Sequence, residues 1–179
     1  IFSGNDIRNG VGSIFSPSIS IRKLEENLKF SDTFNNRIML ADAYLSAGQT
    51  SRAIELYKSS LTGAFEENEH VLIQLVAAYS REKRYDDVIV TAKKIYRLPQ
   101  FARSATHILY AIALWKNEQP EQAEKEFKLM MARFSNFEAR YQYGLFLVQQ
   151  DRNDEARRIY SEMLDEASHL SSRERNYNR

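Results

Sequence analysis

A repeat of about 34 residues runs through most of this chain and constrains its fold more than any other feature of the sequence. The residue that opens the second segment of each repeat is Ala53, Val88, Ala123 or Ala156, and these positions lie 35, 35 and 33 residues apart. A fixed period of about 20–50 residues is typical of arrays in which each unit packs only against its neighbours. The sequence therefore predicts a linear array of about four similar units.

Each repeat has the pattern of two amphipathic helices joined by a short polar turn. In the first repeat, Leu40, Ala41 and Tyr44 precede the turn at 47–49, and Ala53 follows it. Apolar residues three and four apart place their side chains on one helix face. Residues suited to a helix start lie at the beginnings of the second helices: Ser51, Asp86, Pro120 and Asp154. The pattern predicts an all-α fold in which the small residues Ala53, Ala111, Ala123 and Ala156 are buried between helices.

The four units resemble tetratricopeptide repeats over about residues 34–168. This resemblance implies a right-handed α-solenoid of about four helix pairs, with flanking capping helices. The sequence departs from the usual pattern at Val76 and Val88, where small residues are commonest. Residues 33–37, running into Leu40 and Ala41, also resemble a group of bacterial repeat proteins that carry a short hydrophobic segment upstream of the array.

The repeat pattern divides the chain into four parts. Residues 1–17 hold three glycines and no sustained periodicity, so we expect a flexible arm or linker. Residues 18–32 are predicted as an N-terminal flanking helix and residues 33–170 as the array. The expected repeats span about 34–67, 68–103, 104–136 and 137–170. Capping-box spacing in residues 171–179 predicts the start of a truncated C-terminal helix.

The composition and motifs of the chain argue against catalysis and against nucleic-acid binding. The net charge is +1, which gives no excess of cations to bind phosphates. There is no Cys, and the three histidines, His70, His107 and His169, are far apart and are expected on the surface or at helix ends. No glycine-rich phosphate loop or facing pair of carboxylates is apparent. We therefore expect no enzymatic activity, no cofactor and no metal site.

The resemblance implies that the first helix of each pair lines a concave groove. The residues of these helices that are expected to face a ligand are Asn35, Met39, Asp42, Gln74, Arg81, Trp115, Lys116, Tyr141 and Gln142. Trp115 and Tyr141 are the predicted anchors, and Arg81 or Lys116 would select an acidic side chain. Burial of Trp115 in the core is the open alternative, since large aromatic residues are usually buried.

The best-known groove of this repeat family is a clamp of Lys, Asn and Arg for a terminal carboxylate. The matching positions in this chain are Ile38, Asp42, Gln74, Ala105 and Leu109. None of them provides the clamp chemistry, so the resemblance implies that the tails of Hsp70 and Hsp90 are not partners.

These features predict a protein–protein interaction scaffold that binds a peptide or helix of a partner in the groove. A structural module that assembles with itself, and an accessory domain of a longer protein, are the alternatives. No run approaches the roughly 18 apolar residues of a membrane helix, so no membrane contact is expected from this segment. The chain begins at Ile1 rather than Met. A cytoplasmic protein is predicted, with a soluble domain of a membrane-anchored protein as the alternative.

Overall fold

All regular structure in the described part of the chain is helical. The computed structural model describes residues 17–133 and 137–169. Its α-helices are α1 (Pro17–Phe30), α2 (Phe34–Ser46), α3 (Thr50–Ser60), α4 (Glu69–Arg81), α5 (Tyr85–Ile95), α6 (Ala105–Lys116), α7 (Pro120–Arg133), α8 (Phe137–Gln149) and α9 (Asn153–His169). Short 3-10 turns lie at Gly63–Phe65 and Phe101–Arg103. The predicted all-α fold is confirmed. The predicted arm, except for Pro17, and the predicted truncated helix lie outside the described residues.

The turn that follows each first helix has the same backbone geometry. Its left-handed residue is Gly48, Lys83, Glu118 or Asp151, with φ between 56° and 76°. The amide of the next residue donates to a carbonyl five residues back, as in Gln49 to Tyr44 and Arg152 to Leu147, at 2.8–2.9 Å. These bonds satisfy carbonyls that have no partner within the helix. The turns therefore repeat with the same period as the core.

The chain divides into two compact units. In unit 1, which holds described residues 17–84, α1 packs on α2, α2 on α3 and α3 on α4, and α2 also contacts α4. The core includes Ala53 and Tyr57, which have no exposed surface. Side-chain caps begin two of the helices, because Thr33 accepts from the Asn36 amide and Asn68 from the Val71 amide.

Unit 2 holds described residues 85–133 and 137–169 and has an aromatic core. The rings of Phe127, Tyr143 and Phe146 lie 5.7–6.0 Å apart between centroids. Gly144 allows α8 to approach α9 closely, because a Cβ atom there would overlap the ring of Tyr160. The small positions Ala111, Ala123 and Ala156 of this unit are buried, as is Ala53 in unit 1. Their predicted burial is confirmed.

Candidate partner-binding surfaces

In unit 1, the predicted ligand-facing residues lie on two first helices that contact each other. Asn35 and Met39 of α2 are exposed, and Asp42 of the same helix is half-buried. On α4, Gln74 is half-buried and Arg81 is exposed. We call these five residues the unit 1 face. It combines one exposed apolar side chain with four polar ones.

The carboxylate of Asp42 contacts two side chains that the sequence analysis did not place near it. The buried Tyr57 hydroxyl donates to one carboxylate oxygen of Asp42, and His70 Nε2 lies 3.4 Å from the other. Burial raises the pKa of Tyr57, and the hydrogen bond to Asp42 raises it further, while the charge of Arg81 opposes both. Asp42 therefore anchors α3 and α4 to α2, and part of its hydrogen-bonding capacity is used within the protein.

Arg81 also has a structural contact. One of its guanidinium nitrogens donates to the Leu45 carbonyl at 2.7 Å. That carbonyl lies in the last turn of α2, where carbonyl groups lack partners within the helix and favour a positive charge. Arg81 as a whole is exposed, and a guanidinium group carries five N–H donors.

In unit 2, Trp115 belongs to the core. Only 9% of its surface is exposed, and its ring meets the ring of Phe146 edge to face at 5.7 Å. The Nε1 atom is buried and has no hydrogen-bond partner among the described residues. Of the two alternatives left by the sequence, the structure favours packing over direct contact with a ligand.

Lys116 covers Trp115 and remains exposed. Its Nζ atom lies 3.5 Å from the centroid of the indole ring and donates to Gln149 Oε1 at 3.1 Å. The first contact is a cation–π interaction, and the second joins the last turns of α6 and α8. Lys116 is thus a positioned cation on the surface of unit 2.

Tyr141 is exposed, whereas its neighbour Gln142 bonds within its own helix. The Tyr141 side chain is 47% exposed, and its carbonyl accepts a hydrogen bond from the Tyr160 hydroxyl. Gln142 Nε2 donates to Glu138 at 2.8 Å. Two other exposed apolar residues of α8, Leu145 and Val148, lie four and seven positions after Tyr141. We call Tyr141, Leu145 and Val148 the α8 strip.

His107 lies at a helix end, which the sequence interpretation allowed, because it is the third residue of α6. It is not on the surface, because only 1% of it is exposed. Its Nε2 atom lies 2.6 Å from Glu126, which also accepts from the Tyr96 hydroxyl. The three side chains come from three separate segments, and no local spacing signals that they meet.

Unit 1 also contains a surface cleft of about 630 Å³ between α1, α2 and α3. Leu28, Leu40 and Leu56 line it together with polar side chains. The Tyr44 hydroxyl donates to Glu25, and Arg52 lies 3.4 Å from the same carboxylate. In this cleft, Glu25 thus pairs with Arg52 and Tyr44.

Neither a metal cluster nor a membrane helix is found in the parts that the structure describes. Within residues 17–133 and 137–169, no group of three or more His, Cys, Asp or Glu side chains is arranged to hold a metal ion. None of the helices in these ranges is long and apolar enough to cross a membrane.

The comparison with known proteins yields structural neighbours. No protein-family model matches the chain, and no curated protein matches its sequence. A solved structure of MamA 41-end from Desulfovibrio magneticus RS-1 is similar, with a TM-score of 0.76 and 18% identity, over 92% of this chain and 91% of that one. MamA of strain MSR-1 is similar with a TM-score of 0.71 and 22% identity, over 85% of this chain and 88% of that one. The chain has the helical-repeat fold of MamA. This confirms the predicted fold class.

Proposed function

We propose that the protein is an interaction scaffold whose first helices bind a peptide or helix of a partner protein. The observation that carries this proposal is that Met39 of α2 and Tyr141 of α8 are 55% and 47% exposed although their helices are well packed. Met39 lies four positions after the exposed Asn35, and Tyr141 lies on the same helix face as the exposed apolar residues Leu145 and Val148. Exposed apolar anchors of this kind are typical of protein interfaces.

Three carboxylates that bond to neighbouring helices support a scaffold rather than an enzyme. Asp42, Glu124 and Glu126 each accept hydrogen bonds from residues of neighbouring helices. Such bonds hold helix pairs together, whereas a general acid or base has to face a substrate cleft. Binding by shape and a few anchors is therefore the function that these contacts support best.

The test is affinity capture with the full chain, followed by measurement of binding to each captured protein. Met39→Asp and Tyr141→Asp should each weaken binding of a true partner at least ~10-fold, because a charge replaces an apolar anchor. Val90→Asp is the matched control, since Val90 is 61% exposed on the second helix α5. A partner that is lost with Val90→Asp and kept with the other two variants would place the binding surface on the second helices.

Self-assembly is the second candidate function. Phe30 at the end of α1 is 95% exposed, and Leu164 of α9 is 73% exposed. Exposed large apolar groups often mark interfaces. Light scattering across a range of concentrations tests this candidate, and a monomer at every concentration would exclude it.

The proposal places the protein in the cytoplasm or in the soluble part of a membrane-anchored protein. Cell fractionation of the full-length protein separates these two locations.

A further inference from the structure

The surface cleft of unit 1 combines an apolar lining with charged side chains. Of its three leucines, Leu40 is buried, whereas Leu28 and Leu56 are only half-buried. The cleft volume of about 630 Å³ lies in the range that is typical of ligand pockets, roughly 300–1,000 Å³. Covering apolar surface with another apolar group lowers the free energy. The cleft is therefore suited to receive an apolar side chain.

Two charged side chains of the cleft make no ion pair within the described part of the chain. Glu25 of α1 pairs with Arg52 of α3 at 3.4 Å. Lys29, one turn beyond Glu25 on α1, is exposed and has no such partner there. The same holds for Glu55, which lies about one turn beyond Arg52 on α3. The cleft thus has a free cation on its α1 wall and a free carboxylate on its α3 wall.

The N-terminal segment, residues 1–16, carries the complementary groups next to each other. Its two charged residues are Asp6 and Arg8, and the residue between them is Ile7. Successive side chains of an extended chain point in opposite directions. Ile7 can therefore enter the cleft while the charged side chains on either side of it face the rim. One acid and one base at the rim match the free lysine and the free glutamate of the cleft.

The N-terminal segment is also long enough to reach the cleft. It joins α1 at Pro17, and Lys29 lies twelve residues further along this helix, which is about 18 Å at 1.5 Å per residue. Arg8 precedes Pro17 by nine residues, and an extended stretch of nine residues spans up to about 30 Å. Because the segment is covalently joined to α1, its effective concentration at the cleft exceeds that of a separate partner.

We propose that the N-terminal segment folds back along α1 and docks in this cleft, with Ile7 against the leucines. Asp6 then pairs with Lys29, and Arg8 pairs with Glu55. The inference goes beyond the proposed function, because none of the residues that line the cleft belongs to the unit 1 face. A docked segment differs from the flexible arm that the sequence predicts, and it joins α1 to α3.

Disulfide trapping in the full chain tests the apolar contact, because the chain contains no native cysteine. Ile7→Cys combined with Leu56→Cys should form a disulfide within one chain at least ~10-fold faster than Ile7→Cys combined with Lys58→Cys, because docking raises the effective concentration at Leu56. Lys58 is the matched control, since it is exposed on the same helix and two positions from Leu56, on a different helix face. Non-reducing gels give both rates.

Paramagnetic NMR tests the charged contacts without a thiol beside them. A nitroxide on Asn9→Cys should broaden the methyl signals of Leu28 and Leu56, and leave those of the exposed Leu164 in unit 2 unchanged. Lys29→Glu should reduce this broadening at least ~3-fold, because it places two acidic groups together. Adding Asp6→Lys should restore the broadening, because it brings opposite charges together again.

Four outcomes overturn the inference. The first is an equal rate of disulfide formation at Leu56 and Lys58. The second is a disulfide that links two chains, which would make the segment of a second copy the occupant. The third is an absence of broadening in the free chain, which would leave the cleft to a partner protein. The fourth is broadening that Lys29→Glu does not change. Circular dichroism melts show whether each variant is folded, and Leu28→Cys replaces Leu56→Cys if the latter does not fold.

Discussion

His107 Nε2 lies 2.6 Å from a carboxylate oxygen of Glu126, and both residues are buried in unit 2. The Tyr96 hydroxyl donates to the same carboxylate, so three segments meet at one buried polar group. A buried carboxylate is tolerated only when its hydrogen bonds are made, because burial removes its hydration. This cluster thus restricts how α6 and α7 can pack.

We expect Glu126→Ala to destabilise the protein by about 3 kcal/mol, because it leaves the buried His107 and the half-buried Tyr96 without this acceptor. Urea unfolding measures the change. Glu121→Ala, on an exposed position of the same helix, should change the free energy of unfolding by less than about 0.5 kcal/mol. Equal changes in the free energy of unfolding for the two variants would mean that the hydrogen bonds of the buried cluster do not stabilise the protein.

Glu124 should make stability depend on pH in the acid range. Burial by itself raises the pKa of Glu124, but hydrogen bonds from Lys128, Arg152 and Tyr143 outweigh it and lower the pKa to about 2. The folded pKa is thus below the ordinary value of 4.5. The stabilisation is therefore fully present above pH 4.5 and is lost as pH falls towards 2. The free-energy difference between the parent and Glu124→Gln should shrink over this interval, and a constant difference would contradict the assignment.

The contact between Gly144 and Tyr160 should reverse the usual effect of a glycine-to-alanine change. In a helix this change normally stabilises by about 1 kcal/mol. Here the new Cβ overlaps the Tyr160 ring, so Gly144→Ala should instead be neutral or destabilising. In a Tyr160→Ala background, the same change should stabilise. Thermal melts of the four proteins give the coupling energy, and additive effects would show that the helices adjust freely.

The small positions should not tolerate larger residues. Ala53, Ala111 and Ala123 have no exposed surface, and Ala156 is 2% exposed. Replacing any of them by Leu should destabilise by roughly 1–3 kcal/mol, because it overpacks the space between helices. The exposed Ala132 of α7 is the control, and Ala132→Leu should melt like the parent. Unchanged melting of all four core variants would contradict the repeat alignment.

Trp115 and Tyr141 should respond differently to truncation. Trp115→Ala should destabilise by about 3–5 kcal/mol, because it empties a buried site beside Phe146. Tyr141→Ala should cost less than about 1 kcal/mol, because half of that side chain already contacts solvent. Denaturant unfolding of both variants checks this. Similar losses in the free energy of unfolding for the two variants would mean that Trp115 is not buried in the core.

Local patterns made most of the fold predictable from the sequence. Helix periodicity located the helix pairs, and the recurring small residues located the close contacts, because both depend on neighbours only a few residues away. The left-handed residues of the turns were harder to predict from the sequence, because Lys83, Glu118 and Asp151 adopt this conformation without being glycine. In each of them, the bond from the next amide closes the helix end.

Tertiary structure alone decided which surface residues remain available. Sequence spacing put Trp115 and Tyr141 on helix faces of the same kind, but Phe146 packs against Trp115, and Tyr141 stays exposed. The pairing of His107 with Glu126 joins residues 19 positions apart on different helices. A helix pattern determines which residues share a face, whereas the packing of neighbouring helices determines whether that face is covered. The sequence by itself therefore determines the repeat period, the helices and the small core positions. The packing of the helices determines that the α8 strip is exposed and that His107 is buried.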